Sequence, residues 1–360
     1  DIVVTGRATD AAIVCGPAAW HHGWSRDDWN PLAGAVAAGH VIECGTQASG
    51  GNYSFFTEVS GLTHTGFPFA EVAEDGSSVI GKHEGTGGEV SVGTVTSQLL
   101  YEIGGPEYFG PDVTTRFDTI ELEQEGPNRV RMRGIQGEPP PSTLKVCINR
   151  SGGFRNNMTA CLTGLDIEAK AKLIEEAFWA SCPYSPSDYA QVSTALVRTD
   201  QSDPESNEQA VALFRITVKD PDEKKTGRAF ANAMTELALS TIPGFFGVGG
   251  GPAGGRPFGV YVPARIPSER VTQDVVLLGG DTHQVSSVIP PADAHVTPAA
   301  ERDAAAPEGP TQRLPLGTVF GSRSGDKGGN ANLGVFARSD EAWAWIDSFL
   351  SVERLRELLP

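Results

Sequence analysis

Basic residues are scarce in this chain: 28 Lys and Arg stand against 45 Asp and Glu, a formal net charge of −17 over 360 residues. So acidic a protein is a poor partner for nucleic acid or for anionic membrane surfaces, which are held by basic patches. An anionic small ligand stays open, because a local cluster of backbone N–H groups binds one against the global field. Cysteine is sparse as well. Cys15, Cys44, Cys147, Cys161 and Cys182 form an odd set with no C-x-x-C, within apolar stretches such as Lys145-Val146-Cys147-Ile148. They read as small buried hydrophobes in a reducing compartment, not as a disulfide frame or a zinc site. No apolar run approaches the length of a membrane span.

Several catalytic signatures are also missing. There is no H-E-x-x-H, and Gly321 to Gly325 carries Arg323 where a G-x-S-x-G elbow needs serine. Gly76 to Lys82 follows a P-loop until its end, where His83 lacks the hydroxyl that Mg²⁺ requires. Gly249 to Gly254 fits G-x-G-x-x-G but precedes Pro257 and a strand. Both are chance matches in a chain with 43 glycines.

What is present, with 39% hydrophobic residues, is a soluble globular composition and enough chain for two or three domains. Gly81 to Gly105 looks like the stretch around which the rest is organised. Lys82, His83 and Glu84 stand at the mouth of a loop carrying Gly85, Gly87 and Gly88, and Thr94 reads as the N-cap of a helix bearing Val95, Leu99 and Ile103. A glycine-rich turn feeding a helix start is a ready anion site; it is equally a tight, capped connection.

Before that loop, Asp1 to Gly6 reads as a buried strand, and a domain seldom begins on one, so the chain is expected to be a piece of a longer protein. A helix over Arg7 to His22 is disturbed by Pro17. Asn30, Pro31 and Gly45 frame a second helix with Leu32, Val36, Val41 and Cys44 on its apolar face. Its His40 and Glu43, one turn apart, suit either a metal or a hydrogen-bonded core histidine. This layering predicts an α/β region over residues 1–137. Ile120, Leu122, Val130 and Met132 alternate around Glu125 to Asn128, a β-hairpin, and Gly137 to Pro141 is a stiff boundary.

From 138 to 288 strands are expected at Leu144 to Asn149 and Met158 to Thr163, Tyr189 to Arg198, Ala210 to Val218 and Phe258 to Val262, with helices at Asp166 to Ser181 and Thr226 to Ser240, so that from the second strand on the order is β-α-β-β-α-β. That is the split βαβ of ferredoxin-like folds, an α+β arrangement with both helices on one face. Gly152 to Asn157, with Arg155 and Asn156, lies before one strand as an anion loop or a solvated hairpin loop. Residues 289–313, rich in Pro, Ala and acid, form a linker. In 314–360, two strands flank Asp326, Lys327, Gly328, Gly329 and Asn330, again an anion nest or a plain turn.

Thr5 to Asp10, Lys82 to Gly88, Leu144 to Ile148, Gly152 to Asn156 and Gly325 to Gly334, taken in order, resemble the acyclic terpene utilisation family, AtuA. The resemblance covers nearly the whole chain except the linker. It implies longer chains at both ends, a C-terminal ferredoxin-like domain present here only in part, and a role in bacterial breakdown of citronellol- and geraniol-like terpenoids through acyl-CoA thioesters. It supplies no catalytic residue. Two functions follow as expectations. The first is a cytoplasmic enzyme acting on a branched or terpenoid acyl-CoA, needing no other cofactor and no metal, with His83 and Glu84 as acid/base pair and the loops around His83, Arg155 and Lys327 holding phosphates or a carboxylate. The second is a non-catalytic subunit that binds a pathway enzyme such as a carboxylase. A chain cut at both ends is expected to expose apolar surface and to form homo-oligomers.

Overall fold

The structure, a computed structural model, describes all residues except 1, 7, 248–252, 292–307, 311, 328–329 and 360. Its elements run α1 (Cys15–His22), α2 (Trp29–Ile42), β1 (Pro68–Val72), β2 (Ser78–Lys82), α3 (Val92–Leu99), β3 (Glu107–Phe109), β4 (Thr114–Arg116), β5 (Glu121–Gly126), β6 (Arg129–Arg133) and β7 (Gln136–Glu138). They continue with β8 (Thr143–Leu162), α4 (Ile167–Ser181), β9 (Gln191–Val197), β10 (Ala212–Asp220), α5 (Glu223–Thr226), α6 (Arg228–Glu236), β11 (Phe245–Gly247) and β12 (Arg256–Pro267). Two hairpins, β13 (Thr272–Val276) with β14 (Thr282–Ser286) and β15 (Gly321–Lys327) with β16 (Asn330–Phe336), precede α7 (Asp340–Phe349) and α8 (Val352–Leu358). No helix among the described residues is long and apolar enough to cross a membrane.

Two compact units result. Unit 1 joins Asp1–Lys145 to Arg265–Pro360, and unit 2 is Val146–Ala264. This division by contact falls at 145 and 264, where the sequence suggests boundaries at 137 and 288, and it groups residues 314–360 with unit 1. The paired strands β1 to β7 are all antiparallel, so the chain is α+β and the expected α/β layers of the first 137 residues are absent from the described residues. Ile2, Val3 and Val4 are exposed and irregular, not a buried strand.

The core of unit 1 is built on α2. Leu32 through Val41 are buried on every side, although the sequence promised a single apolar face. Small residues make this possible. A Cβ on Gly34 would overlap the Gly76 carbonyl, and one on Gly39 the Ala11 carbonyl. The helix thus takes neighbouring backbone directly on its surface, at a propensity cost of about 1 kcal/mol per glycine. Around it pack a sheet of order β1-β2-β6-β5 and another of order β3-β4-β7. His40 lies in this core, its Nε2 3.1 Å from the Gln98 carbonyl and its ring edge-on to Tyr108 and Phe117, which bears out the core-histidine reading. Arg116, 5% exposed, is held by both oxygens of Asp118 at 3.0 and 2.7 Å and by Glu138 at 3.0 Å.

Unit 2 is one sheet of order β11-β8-β10-β9, with β12 also paired to β8. Ala160 and Leu162 of β8 and Ala212, Phe214, Ile216 and Val218 of β10 share one core with Ile174 and Phe178 of α4 and Phe230 and Met234 of α6. Both helices therefore cover the same face, and Phe178 meets Phe230 edge-on at 5.2 Å. The two strands expected at 144–149 and 158–163 are one strand of 20 residues. Gly152, read as part of a loop, lies inside it because the Phe258 ring occupies the place of its missing side chain. Asp220, 5% exposed, accepts from the N–H groups of Asp222 (2.9 Å) and Ala190 (3.1 Å) and lies 3.5 Å from Lys225. Burial pushes its carboxyl up, but these donors outweigh that and hold it below the ordinary value.

Of the cysteines, Cys15, Cys161 and Cys182 are buried as expected, Cys44 is half-buried and Cys147 is exposed. Burial pushes the Cys15 thiol up to about 12.

Two stability measurements check this packing. Gly39→Ala is expected to cost at least about 1–3 kcal/mol, since the Ala11 backbone has to move, where a surface Gly→Ala in a helix would stabilise; Arg116→Ala should cost about 3–5 kcal/mol by leaving two carboxylates behind. Chemical denaturation of each variant reads both. A depressed folded pKa contributes stability above the unfolded value near about 4 and loses it as pH falls through the folded value. The melting temperature of unit 2 should thus fall more steeply below about pH 4 in the native protein than in Asp220→Asn.

Candidate active site

The glycine loop closes on itself. Lys82 Nζ donates to the Thr86 carbonyl at 2.7 Å, and Thr86 Oγ1 donates to the His83 carbonyl at 2.6 Å. The N–H groups of Gly87, Gly88 and Glu89 donate to the carbonyls of His64, Ser60 and Ser49 at 2.9, 2.9 and 3.0 Å. Those of Val90 and Val92 donate to the side chains of Asn128 and Gln124. These amides are committed within the protein and have no hydrogen left for an anion. Gly87 and Gly88 are glycine because side chains there would strike the Gly61 and Ser49 backbones; Gly85 turns through φ 75°. The N-cap of α3 is Ser91, not Thr94. Ser91 Oγ accepts from the Thr94 N–H and Thr94 Oγ1 accepts from the Ser91 N–H, with Thr94 buried at the third helical position. His83 and Glu84 are exposed, His83 leaning on the Phe69 ring at 5.3 Å.

The other expected sites fare differently. Arg155 is an exposed strand residue of unit 2. Asn156 is buried and structural: its Nδ2 donates to the carbonyls of Thr226 (2.7 Å) and Ala253 (3.0 Å). Asp326, Lys327 and Asn330 pair in β15 and β16, but their side chains lie outside the described residues, as do Gly328 and Gly329. Among the described residues no group of three His, Cys, Asp or Glu could hold a metal ion.

A cavity of about 1050 Å³ opens in unit 1 at the start of α3, and neither His83 nor Glu84 lines it. One wall comes from the chain near Tyr53, Glu58 and Val59, a second from Glu89 to Thr96, and a third from Phe336 to Ala344. The third wall is fastened to the rest of unit 1 by specific contacts. Asn332 Oδ1 accepts from the N–H groups of Glu102 (3.1 Å) and Gly325 (3.0 Å), and its Nδ2 donates to the Leu100 carbonyl at 2.8 Å. Ser54 Oγ donates to the Ser322 carbonyl at 2.7 Å and accepts from its N–H at 2.8 Å. Phe336 packs against Tyr53, Phe55 and Val59. Arg338 lies over the Phe55 ring at 4.6 Å and grips both oxygens of Glu58 at 2.8 and 2.9 Å, which holds the Glu58 carboxyl below its usual range.

Two helices begin at this cavity, each capped by serine: α3 by Ser91, and α7 by Ser339, whose Oγ accepts from the Ala342 N–H at 3.2 Å. Helix starts carry partial positive charge, although at α3 the N–H groups of Val92 and Thr94 are already donated to Gln124 and Ser91. Tyr53 stands against the first turn of α3, where Gly93 leaves room for its hydroxyl; burial pushes that phenol up, so it stays protonated. Tyr53, Val59, Phe336 and Trp343 give an apolar lining, while Glu89 and Asp340 are exposed carboxylates at the rim. None of these residues reads as functional in the sequence, where Asp340 looks like the cap of a helix bearing Trp343; the cap is Ser339, and the two serines ahead of amphipathic helices were the available signal.

Residues 1–277 match the model of the Acyclic terpene utilisation family protein AtuA, so the third wall of the cavity lies beyond the matched region. No curated protein and no solved structure matches the chain. With more than half of its length matched, the chain belongs to the acyclic terpene utilisation family AtuA.

Proposed function

We propose that the protein is a cytoplasmic enzyme of acyclic terpene breakdown that takes the branched acyl end of an acyl-CoA thioester into the unit 1 cavity. The observation that carries this is the cavity itself, where the apolar side chains of Tyr53, Val59, Phe336 and Trp343 stand among polar ones beside two serine-capped helix starts. The apolar part of the lining would take an isoprenoid chain. With the Val92 and Thr94 N–H groups already donated to Gln124 and Ser91, the Gly93 N–H of α3, the start of α7 and the Tyr53 hydroxyl are the groups that would polarise a carbonyl and offset negative charge developing on its oxygen. Glu89 and Asp340 are the carboxylates at hand as general base. The cavity's cation, Arg338, is already paired with Glu58, so this space fits the acyl end of a thioester and not the phosphates of CoA.

For unit 2 we propose the ferredoxin-like arrangement. Its support is the strand order β11-β8-β10-β9 with antiparallel neighbours and with α4 and α6 in one core. A non-catalytic role beside another pathway enzyme is the second reading, favoured by the β13–β14 hairpin, whose Val276 and Leu278 stand 66% and 109% exposed.

Incubation with a panel of branched and straight acyl-CoAs, followed by mass spectrometry, separates the two. The enzyme reading expects a mass change for branched thioesters. Glu89→Gln and Tyr53→Phe should each lower turnover by about 10²-fold with an unchanged melting temperature. His83→Ala should leave turnover near that of the native protein, because His83 does not line the cavity. No mass change with any thioester, together with capture of a pathway enzyme that Leu278→Asp abolishes, would establish the second reading instead.

A further inference from the structure

One face of the unit 2 sheet packs on α4 and α6; the opposite face is largely open to solvent. The strand register fixes what it carries. Val192 and Leu196 of β9 pack toward the helices, so the alternate residues of β9, together with those paired to them on β10 and β8, lie on the opposite face, where Cys161, beside β11, is the one buried member. Three of these residues are cations: Arg155, Arg215 and Lys219. The rest, between 155 and 161, 191 and 197, and 213 and 219, are Asn, Gln, Thr, Ser, Ala, Cys, Leu or Val, with no carboxylate among them.

The chain as a whole carries a net charge of −17, yet this sheet face is cationic and free of carboxylates. The cations have no acid to meet. Arg215 Nε reaches the Thr159 hydroxyl at 3.3 Å, Lys219 Nζ sits 5.4 Å from the Phe258 ring, and none of the three is in an ion pair among the described residues. Lys219 and Arg155 are also direct cross-strand partners. Like charges so placed weaken a sheet unless an anion lies between them. Val197, 44% exposed, adds the apolar contact found at protein interfaces, where arginine is also enriched.

We infer that this face docks on a carboxylate-bearing surface of a second copy of the chain. Charge complementarity supplies the argument: nearly all of the excess acid lies outside Val146–Ala264, so every copy carries both the cationic face and its complement. Two cationic faces repel, so the contact is between unlike surfaces and builds rings or open chains instead of a two-fold dimer. At physiological ionic strength the Debye length of about 8 Å screens the distant carboxylates, leaving the contacting groups to decide the outcome. Three strands of four rows present only about 400 Å², below the roughly 800 Å² per partner of a stable complex, so the association is weak and reversible.

Sedimentation velocity of the full chain over a concentration series tests this. At about 0.05 M salt the weight-average mass should rise with concentration, and at about 0.5 M it should return to that of the monomer. Arg155→Glu, Arg215→Glu and Lys219→Glu combined should abolish the rise; the Gln versions, which leave no like-charge pair in the sheet, serve should the reversal disturb folding. A monomer at every concentration and salt overturns the inference. So does self-association that survives high salt or persists in a folded triple variant, since either places the contact elsewhere.

Discussion

Backbone lies on backbone around α2, and the rest of unit 1 depends on that contact. The Gly76 turn seats at Gly34, the segment before α1 at Gly39, and Gly137 of β7 comes against the Trp29 carbonyl. With larger residues at these places the sheets and the N-terminal helices would stand off from the helix, leaving voids that a close-packed interior does not tolerate. The same small residues make α2 a poor helix on its own. Its stability comes from what surrounds it, and the glycines that weaken it in isolation are those that admit its neighbours.

The candidate site is subordinate to this frame. α3 packs on α2 through Gln98, whose carbonyl meets His40, and Ser91, Val92 and Gly93 at its start are left lining the cavity. The glycine loop ahead of it spaces β2 from α3 and fills its own hydrogen bonds. What reaches the first turn of α3 comes from far away in sequence: Tyr53 on one side, Phe336 and Arg338 on the other.

That distance explains what could be read from the residues alone. The helix at Ile167–Ser181 and the hairpin β5–β6 were legible because their signals are local: apolar residues at helical spacing, and alternation around Gly126 and Asn128. His40 as a core residue was legible for the same reason. β8 was not, since Gly152 and Gly153 look like a break until Phe258, about a hundred residues later, is seen lying over the first of them. The motif from Gly325 to Gly334 suggested an anion loop, whereas its Asn332 is a fastener that ties the hairpin to Leu100 and Glu102. A residue type that makes a good ligand contact also makes a good intramolecular one, and only the partner tells them apart.

Because unit 1 is discontinuous, synthesis meets it in two instalments. Translation at about 5–20 residues per second places roughly 6–24 s between the emergence of Lys145 and that of Arg265. Unit 2 is contiguous and can close its core in that interval, while α2 and its sheets wait with Tyr53, Phe55 and Val59 still uncovered by Phe336. Until the later segment arrives these aromatics are available to chaperones and to other nascent chains. The third wall of the cavity therefore doubles as the cap on that surface, and the nascent chain completes its candidate site and loses its stickiness in the same event.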